Sequence, residues 1–215
     1  MNYIDQVTDI LKKHVKQSPE PMTQEIVSFY GKDPYLILIS CLLSLQSRDV
    51  VTLPVSIKLF EKVKTPQQLL QLPVHELETI IKSINYYKTK AQRLKSASQE
   101  LLDRFDGKVP QSLHELLSIK GVGLKTANLV LAEAFDIPAI CVDTHVHRLS
   151  NHWGLICTKT PEQTEKALRQ VLPDRYWIEW NYLLVKWGQN ICKKGRGPSC
   201  LHCADIMSVI NNSLT

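Results

Sequence analysis

The sequence predicts an all-α fold, because helix-start signals recur along the chain while the alternating pattern of strands is almost absent. Capping boxes, in which Ser or Thr is followed three residues later by Glu or Gln, begin at Thr65, Ser112 and Thr160. Such a box satisfies N–H groups that the first turn of a helix leaves unpaired. Two of the boxes carry proline at the first helical position, where a missing N–H is harmless. We therefore expect roughly ten helices.

The first segment has the pattern of an amphipathic helix. Ile4, Val7, Leu11 and Val15 recur at the spacing that places them on one helical face, which predicts that this face is buried. A second helix begins at Asp33-Pro34 in the manner of a capped start. It continues through a run that is apolar nearly all round and is therefore predicted to be central and buried.

Later in the chain, residues 88–105 form a charged, amphipathic pattern that ends at Asp106-Gly107. Prolines interrupt the chain at Pro21 and Pro138 and mark the best domain boundaries. We predict one domain from residues 22–137. The remaining residues, 1–21 and 138–215, are predicted to form a second domain from both ends of the chain.

Composition excludes several classes of protein. The chain has 215 residues, 44% of them hydrophobic and 22% charged, which is ordinary for a globular protein that buries a core. The charged N-terminus does not resemble a signal peptide, and the longest apolar run is too short to span a bilayer. We therefore expect a cytoplasmic protein, associated with the nucleoid if the source is bacterial. The net charge of +5 mildly favours a polyanionic partner.

The segment from 116 to 128 predicts two helices joined by a Gly-x-Gly turn. Gly121 and Gly123 permit a tight turn with no Cβ to hinder close approach. The N–H groups at the start of the second helix form a ready site for a phosphate, which would bind a DNA backbone without reading its sequence. A simple helix–helix corner is the alternative, since Gly-Val-Gly suffices for one.

Two motifs together resemble a known family. The sequence GVGLKTAN at 121–128 is followed by VDTHVHR at 142–148, and the likeness extends upstream to LLSLQSRD at 42–49. These motifs resemble the endonuclease III branch of the helix-hairpin-helix DNA glycosylases. The resemblance implies a two-lobed all-α fold, in which double-stranded DNA binds in a cleft. One lobe would be a six-helix barrel from the middle of the chain, and the other a domain of terminal helices.

The resemblance also implies the catalytic residues. Lys125 would attack C1′ of the damaged nucleotide as an unprotonated amine, and Asp143 would be its carboxylate partner. The start of a helix disfavours the ammonium form of Lys125, although a solvated surface lysine is the alternative. Asp143 also fits an ordinary N-cap, and both roles are compatible.

The implied activity is that of a monomeric, bifunctional glycosylase and abasic-site lyase, acting on oxidised pyrimidines in duplex DNA. A glycosylase for another lesion is one alternative. A non-catalytic DNA-binding protein is another, but simple hairpin binding requires neither Lys125 nor Asp143.

Two further loops are implied to open the duplex. A glutamine at the position of Gln46 fills the gap left by the extruded base in this family, and Tyr86 stands where an aliphatic wedge is usual. An aromatic wedge can stack on the orphaned base. The basic residues that follow are predicted either to bind phosphates or to form a solvated face: Lys88, Lys90, Arg93 and Lys95.

The cysteines divide into two sets. Three are isolated among apolar neighbours and are interpreted as small buried hydrophobes: Cys41, Cys141 and Cys157. The other three, Cys192, Cys200 and Cys203, cluster near the end of the chain, which in a reducing compartment suggests a metal.

The family usually binds a [4Fe–4S] cluster through four cysteines spaced C-x6-C-x2-C-x5-C. Here seven residues separate the first two cysteines, and Val209 stands where the fourth belongs. An iron–sulfur cluster, zinc and no metal all remain open, with His202 or Asp205 as possible substitutes for the missing ligand. Between the first two cysteines lies a basic loop that the resemblance implies to touch DNA phosphates: Lys193, Lys194 and Arg196.

Overall fold

The computed structural model describes residues 2–193 and 200–214. Over those residues the chain forms thirteen α-helices and one 3₁₀ helix, with no β-strand. The prediction of an all-α fold is confirmed. The helices outnumber the predicted set because several consist of only six or seven residues and are little longer than turns.

The chain divides into two compact units, which we call the middle unit (Met22–Ile137) and the terminal unit (Met1–Pro21 with Pro138–Thr215). The helices of the middle unit are α2 (Met22–Tyr30), α3 (Pro34–Ser44), α4 (Asp49–Phe60), α5 (Pro66–Gln71), α6 (Val74–Ile80), α7 (Tyr87–Phe105), α8 (Leu113–Ser118) and α9 (Leu124–Phe135). Those of the terminal unit are α1 (Tyr3–Val15), α10 (Thr144–His152), α11 (Pro161–Val171), the 3₁₀ helix (Asp174–Tyr176), α12 (Trp177–Asn190) and α13 (Leu201–Leu214).

The middle unit is built around α3, which packs against α2, α4, α7 and α9. Every residue from Tyr35 to Leu43 is buried, so the prediction of a central helix is confirmed. Asp33 caps this helix by accepting hydrogen bonds from the N–H groups of Tyr35 and Leu36. The buried hydroxyl group of Tyr35 forms a hydrogen bond with the Ser98 hydroxyl of α7 at 2.8 Å.

The terminal unit brings the two ends of the chain together around α12, which packs against α1 and α10. The predicted face of α1 is buried, and three tryptophans of the same core are almost fully inaccessible: Trp153, Trp180 and Trp187. At Gly188 the helices approach so closely that an added Cβ would lie 2.1 Å from Nδ1 of His145. This glycine therefore sets the distance between α10 and α12.

Among the described residues, no helix combines the length and the apolar character that crossing a membrane requires.

Candidate active site and nucleic-acid interface

The hairpin between α8 and α9 forms as the glycines predict. Gly121 has φ = +91°, a left-handed conformation that residues with a Cβ rarely adopt. Gly123 is extended and stands at the N-cap of α9, where no side chain caps the helix. No atom lies within 4 Å of a Cβ added at Gly123, so the backbone there is open to a ligand.

Lys125 lies on the first turn of α9, directly after this open backbone, and is exposed. Its charge is felt by the buried thiol of Cys41 on α3. Burial raises the pKa of that thiol to about 12, and the nearby ammonium of Lys125 opposes the rise. The N-terminal end of α9, which carries Lys125, therefore lies near Cys41 of α3.

Asp143 belongs to the terminal unit and is the N-cap of α10. Its Oδ1 accepts hydrogen bonds from the N–H groups of His145 at 2.9 Å and Val146 at 2.8 Å. The preceding residues 140–142 are buried, and Asn181 of α12 donates a hydrogen bond to the Cys141 carbonyl at 3.1 Å. Both bonds of the cap use one carboxylate oxygen, so Oδ2 lies outside it.

The loops that carry Gln46 and Tyr86 are tied together in the middle unit. Both residues are exposed and both adopt left-handed backbone conformations, with φ of 56° and 58°. Asn85 donates a hydrogen bond from Nδ2 to the Gln46 carbonyl at 2.8 Å. Left-handed conformations of residues other than glycine are costly and cluster at functional sites. The two predicted duplex-opening residues thus share one surface region.

The prediction for the basic residues of α7 is wrong at two positions. Lys90 is buried, and its Nζ donates to the Leu43 carbonyl and to the Ser47 hydroxyl. Lys95 donates to three carbonyls at the end of α5, those of Leu69, Leu70 and Leu72. Both ammonium groups bind carbonyls at helix ends and are thus engaged within the protein, Lys90 in a buried position and Lys95 in a partly exposed one.

Periodicity contained a signal for this burial. Lys90 lies four, seven and eleven residues before Leu94, Ala97 and Leu101, on the same buried stripe of α7. A charged residue in an apolar stripe indicates a specific internal partner. Lys88 and Arg93 are exposed, as a role in phosphate binding requires.

The basic loop is described only at its first residue. Lys193 is exposed, while Lys194 and Arg196 lie outside the described residues.

The clustered cysteines come together in the terminal unit. The sulfur atoms of Cys192, Cys200 and Cys203 all lie within 4.8 Å of one another. His202 and Asp205 are not members of this group; the ring of His202 packs edge-on against that of His14, with centroids 5.2 Å apart. Among the described residues the group therefore offers three thiolates and no fourth ligand.

The surroundings of these cysteines suit sulfur that carries negative charge. Arg148 directs Nη1 at Sγ of Cys192 from 3.4 Å. The buried indole N–H groups of Trp153 and Trp187 have no well-formed hydrogen bond within the described chain, yet both favour the Cys203 thiolate. Burial outweighs them in the bare protein and raises the pKa of this thiol to about 12. The donors fit a metal-bound thiolate or sulfide, but the ligand set is one short for a cluster with four protein ligands.

Of the isolated cysteines, Cys41 and Cys141 are buried as predicted, whereas Cys157 is exposed. Cys157 lies in the connection between α10 and α11, so its apolar neighbour in sequence does not cover it.

The sequence matches the family model of the HhH-GPD superfamily of base excision DNA repair proteins over residues 39–174. It is 43% identical over 189 residues to endonuclease III of Thermotoga maritima, covering 86% of this chain and 88% of that relative. The chain belongs to the endonuclease III family. The prediction from the hairpin and VDTHVHR motifs is thereby confirmed.

Solved structures of the family agree with the fold. An endonuclease III trapped as a covalent intermediate with DNA matches with a TM-score of 0.81 at 33% identity, over 92% of this chain and 91% of that chain. A non-covalent endonuclease III–DNA complex matches with a TM-score of 0.83 at 31% identity, over 99% and 97%. This member of the endonuclease III family therefore has the helix-hairpin-helix glycosylase fold.

Proposed function

We propose that Lys125 is the amine nucleophile and Asp143 its carboxylate partner in the removal of damaged bases from duplex DNA. As a member of the endonuclease III family, the protein is a DNA glycosylase and abasic-site lyase. The two compact units are proposed to be its two domains. Oxidised pyrimidines are the proposed substrates.

The reaction requires one amine and one carboxylate. Nζ of Lys125, unprotonated, attacks C1′, and the bond between C1′ and the base nitrogen breaks with its electrons leaving on the base, which takes up a proton. Opening of the sugar ring gives a Schiff base between Nζ and C1′. The imine acidifies the C2′ proton, and its removal expels the 3′ phosphate and cuts the strand. Asp143 stabilises positive charge on the sugar and accepts the proton that the lysine nitrogen loses after it has bonded to C1′.

The position of Lys125 is the observation that carries the proposal. Its side chain is exposed one residue beyond Leu124, the first residue of α9, and no side chain caps that helix start at Gly123. A DNA phosphate bound by the first N–H groups of α9 would bring the sugar–phosphate backbone close to the amine. That a related endonuclease III forms a covalent intermediate with DNA supports an amine mechanism.

Borohydride trapping tests the nucleophile. Wild-type protein is expected to form a covalent adduct with abasic-site duplex in the presence of borohydride, because reduction fixes the Schiff base. Lys125→Gln is expected to form none. Lys108→Gln is the matched control, since it removes one exposed lysine charge from the same unit. Trapping at full yield by Lys125→Gln would rule out this nucleophile.

Two variants separate the roles of Asp143. Asp143→Asn retains an oxygen that can cap α10 but removes the charge, so we expect native stability and a loss of base excision. Asp143→Ala removes both, and is expected to lower the free energy of unfolding by about 1 kcal/mol in addition. Urea unfolding and single-turnover excision measure the two effects. Full activity of Asp143→Asn would leave Asp143 as a cap alone.

Lesion specificity is tested with duplexes that differ only in the damaged base. Thymine glycol is expected to be excised faster than 8-oxoguanine or uracil in the same sequence. Faster excision of 8-oxoguanine or uracil would contradict the proposed substrate class. It would not contradict the proposed roles of Lys125 and Asp143.

We further propose that Cys192, Cys200 and Cys203 bind a metal centre, for which the family offers an iron–sulfur cluster. When bound, it would join the start of α13 to the segment that follows α12 and would satisfy the donors around Cys203. Anaerobically purified protein is expected to be brown from iron–thiolate absorption and to contain iron and sulfide. Zinc in place of iron would make the site a tetrahedral one, and protein free of both would refute the metal centre.

A further inference from the structure

Lys90 is a buried cation that the proposed chemistry does not use. Its side chain is only 3% exposed. Burial in apolar surroundings, assisted by the positive charge of Arg93, lowers the pKa of Lys90 to about 8. A charge is retained in such a place only where specific partners compensate for its loss of water.

The partners of Lys90 lie on either side of Gln46. Nζ donates at 2.7 Å to the carbonyl of Leu43, which lies in the last turn of α3. It donates at 3.0 Å to Oγ of Ser47, the residue that follows Gln46. The first contact places a cation where carbonyls at a helix C-terminus have no partner and the helix dipole is negative. One ammonium group therefore joins the end of α3 to the far side of the Gln46 turn.

The Gln46 turn needs such support. Gln46 is held at φ = +56°, a left-handed conformation that is strained for a residue with a Cβ. Its own carbonyl accepts the hydrogen bond from Asn85, whose loop leads into α7. Lys90 thus binds the chain on both sides of Gln46, and Asn85, two residues before α7, binds the Gln46 carbonyl. The side chain of Gln46 stays exposed.

We propose that Lys90 is a positioning residue for base extrusion: it holds the Gln46 turn in the left-handed conformation that presents the glutamine side chain to the opened duplex. This inference rests on the proposed function, because it requires that Gln46 fills the space of an extruded base. A preformed turn favours insertion, since less conformational freedom is lost when DNA binds.

Lys95 provides a matched control on the same helix. It too is a lysine whose Nζ binds carbonyls at a helix end, but those carbonyls belong to α5 and its C-cap and not to the Gln46 turn. Lys90→Met and Lys95→Met each remove one internal ammonium group and keep a long apolar stem. Both are expected to lower the free energy of unfolding, so stability alone does not distinguish them.

The experiment measures extrusion in the full-length protein. A duplex carries 2-aminopurine next to thymine glycol on the same strand, and its fluorescence rises when the thymine glycol stacked on it leaves the helix. Under single-turnover conditions with saturating folded protein, Lys90→Met is expected to lose the fluorescence rise and to excise the base about tenfold more slowly. Lys95→Met is expected to retain both. β-Elimination on a preformed abasic site, where no base must leave the stack, is expected to suffer less in Lys90→Met than excision does.

A double-mutant cycle with Gln46→Ala shows whether Lys90 acts through Gln46. If it does, adding Lys90→Met to Gln46→Ala slows excision little further, whereas Lys95→Met and Gln46→Ala combine independently. Full additivity of Lys90→Met with Gln46→Ala would overturn the inference. So would a Lys90→Met protein whose fluorescence and excision match those of Lys95→Met.

Two further outcomes are decisive. If Lys90→Met does not fold, Ser47→Ala removes one of the two Nζ contacts from the surface side, and unchanged fluorescence and excision in that variant refute the inference. If wild-type protein neither excises the base nor forms a borohydride adduct, the proposed function fails. If the wild type is active and Lys90→Met matches Lys95→Met in fluorescence and excision rate, only the role of Lys90 is refuted.

Discussion

At the scale of single residues, Asp143 is a helix cap to which we also assign a role in the proposed reaction. Asp143 caps α10 through Oδ1 alone, which fixes its carboxylate at the end of a buried segment. A cap needs an oxygen acceptor, whereas the proposed reaction needs a charge. Aspartate provides both an acceptor oxygen and a negative charge, so the two roles are compatible.

Lys90 gives a prediction about pH. Its folded pKa of about 8 lies below the ordinary value of 10.5, so between these values the unfolded chain binds the proton that the folded protein has lost. The contribution of Lys90 to the free energy of unfolding therefore rises with pH over this interval. Lys90→Met lacks it. We expect the stability difference between wild type and Lys90→Met to grow from pH 7.5 to pH 10 (roughly the span of the two values) in urea unfolding.

Other titrating groups are common to both proteins and cancel in this difference. A difference that stays constant or shrinks as the pH rises would contradict the burial of a protonatable Lys90.

At the scale of elements, helix starts followed the predicted capping chemistry. Thr65, Ser112 and Thr160 each accept a hydrogen bond from the N–H three residues later. In two of the boxes the returning glutamine bonds one residue before the cap, at the N–H groups of Lys64 and Lys159. The caps are local interactions within five residues, and the sequence alone was enough to predict them.

The hairpin glycines give a prediction in which stability and binding separate. Gly121→Ala is expected to lower the free energy of unfolding by about 1–2 kcal/mol, because alanine is strained at a left-handed φ while its methyl group meets only ordinary contacts.

Gly123→Ser is expected to maintain or raise stability, since serine caps a helix well. It fills the open space at the start of α9, however, and should weaken binding to abasic-site DNA.

Urea unfolding and a DNA-binding titration measure these effects at one salt concentration. Undiminished DNA affinity in Gly123→Ser would show that no phosphate approaches this backbone.

At the scale of the whole molecule, only part of the net charge of +5 is expected to contribute to DNA binding. Only basic residues that meet phosphates contribute to the salt dependence of binding, because they release counterions from DNA. If the loop contacts DNA, replacing Lys193, Lys194 and Arg196 by glutamine is expected to flatten the slope of log K against log salt by about 0.9 for each lost contact.

The control removes the same charge from α1 and its C-cap, where three exposed lysines have no proposed role in DNA binding: Lys12, Lys13 and Lys16. It is expected to change the slope far less. Equal slopes in the two triple variants would reduce the role of the loop to general electrostatic attraction.

The sequence by itself determined the helical class, the capped helix starts, the buried face of α1, the central α3 and the family, because each depends on neighbours within a few turns or on a motif of contiguous residues. Only the tertiary structure decided which groups Lys90 and Lys95 bind, that Cys157 is exposed, and that His202 and Asp205 stay out of the cysteine group. Lys90 binds one carbonyl and one hydroxyl, each more than forty residues away in sequence. Which partner a charged or polar side chain finds at such separations follows from packing between helices, and local sequence patterns carry little information about it.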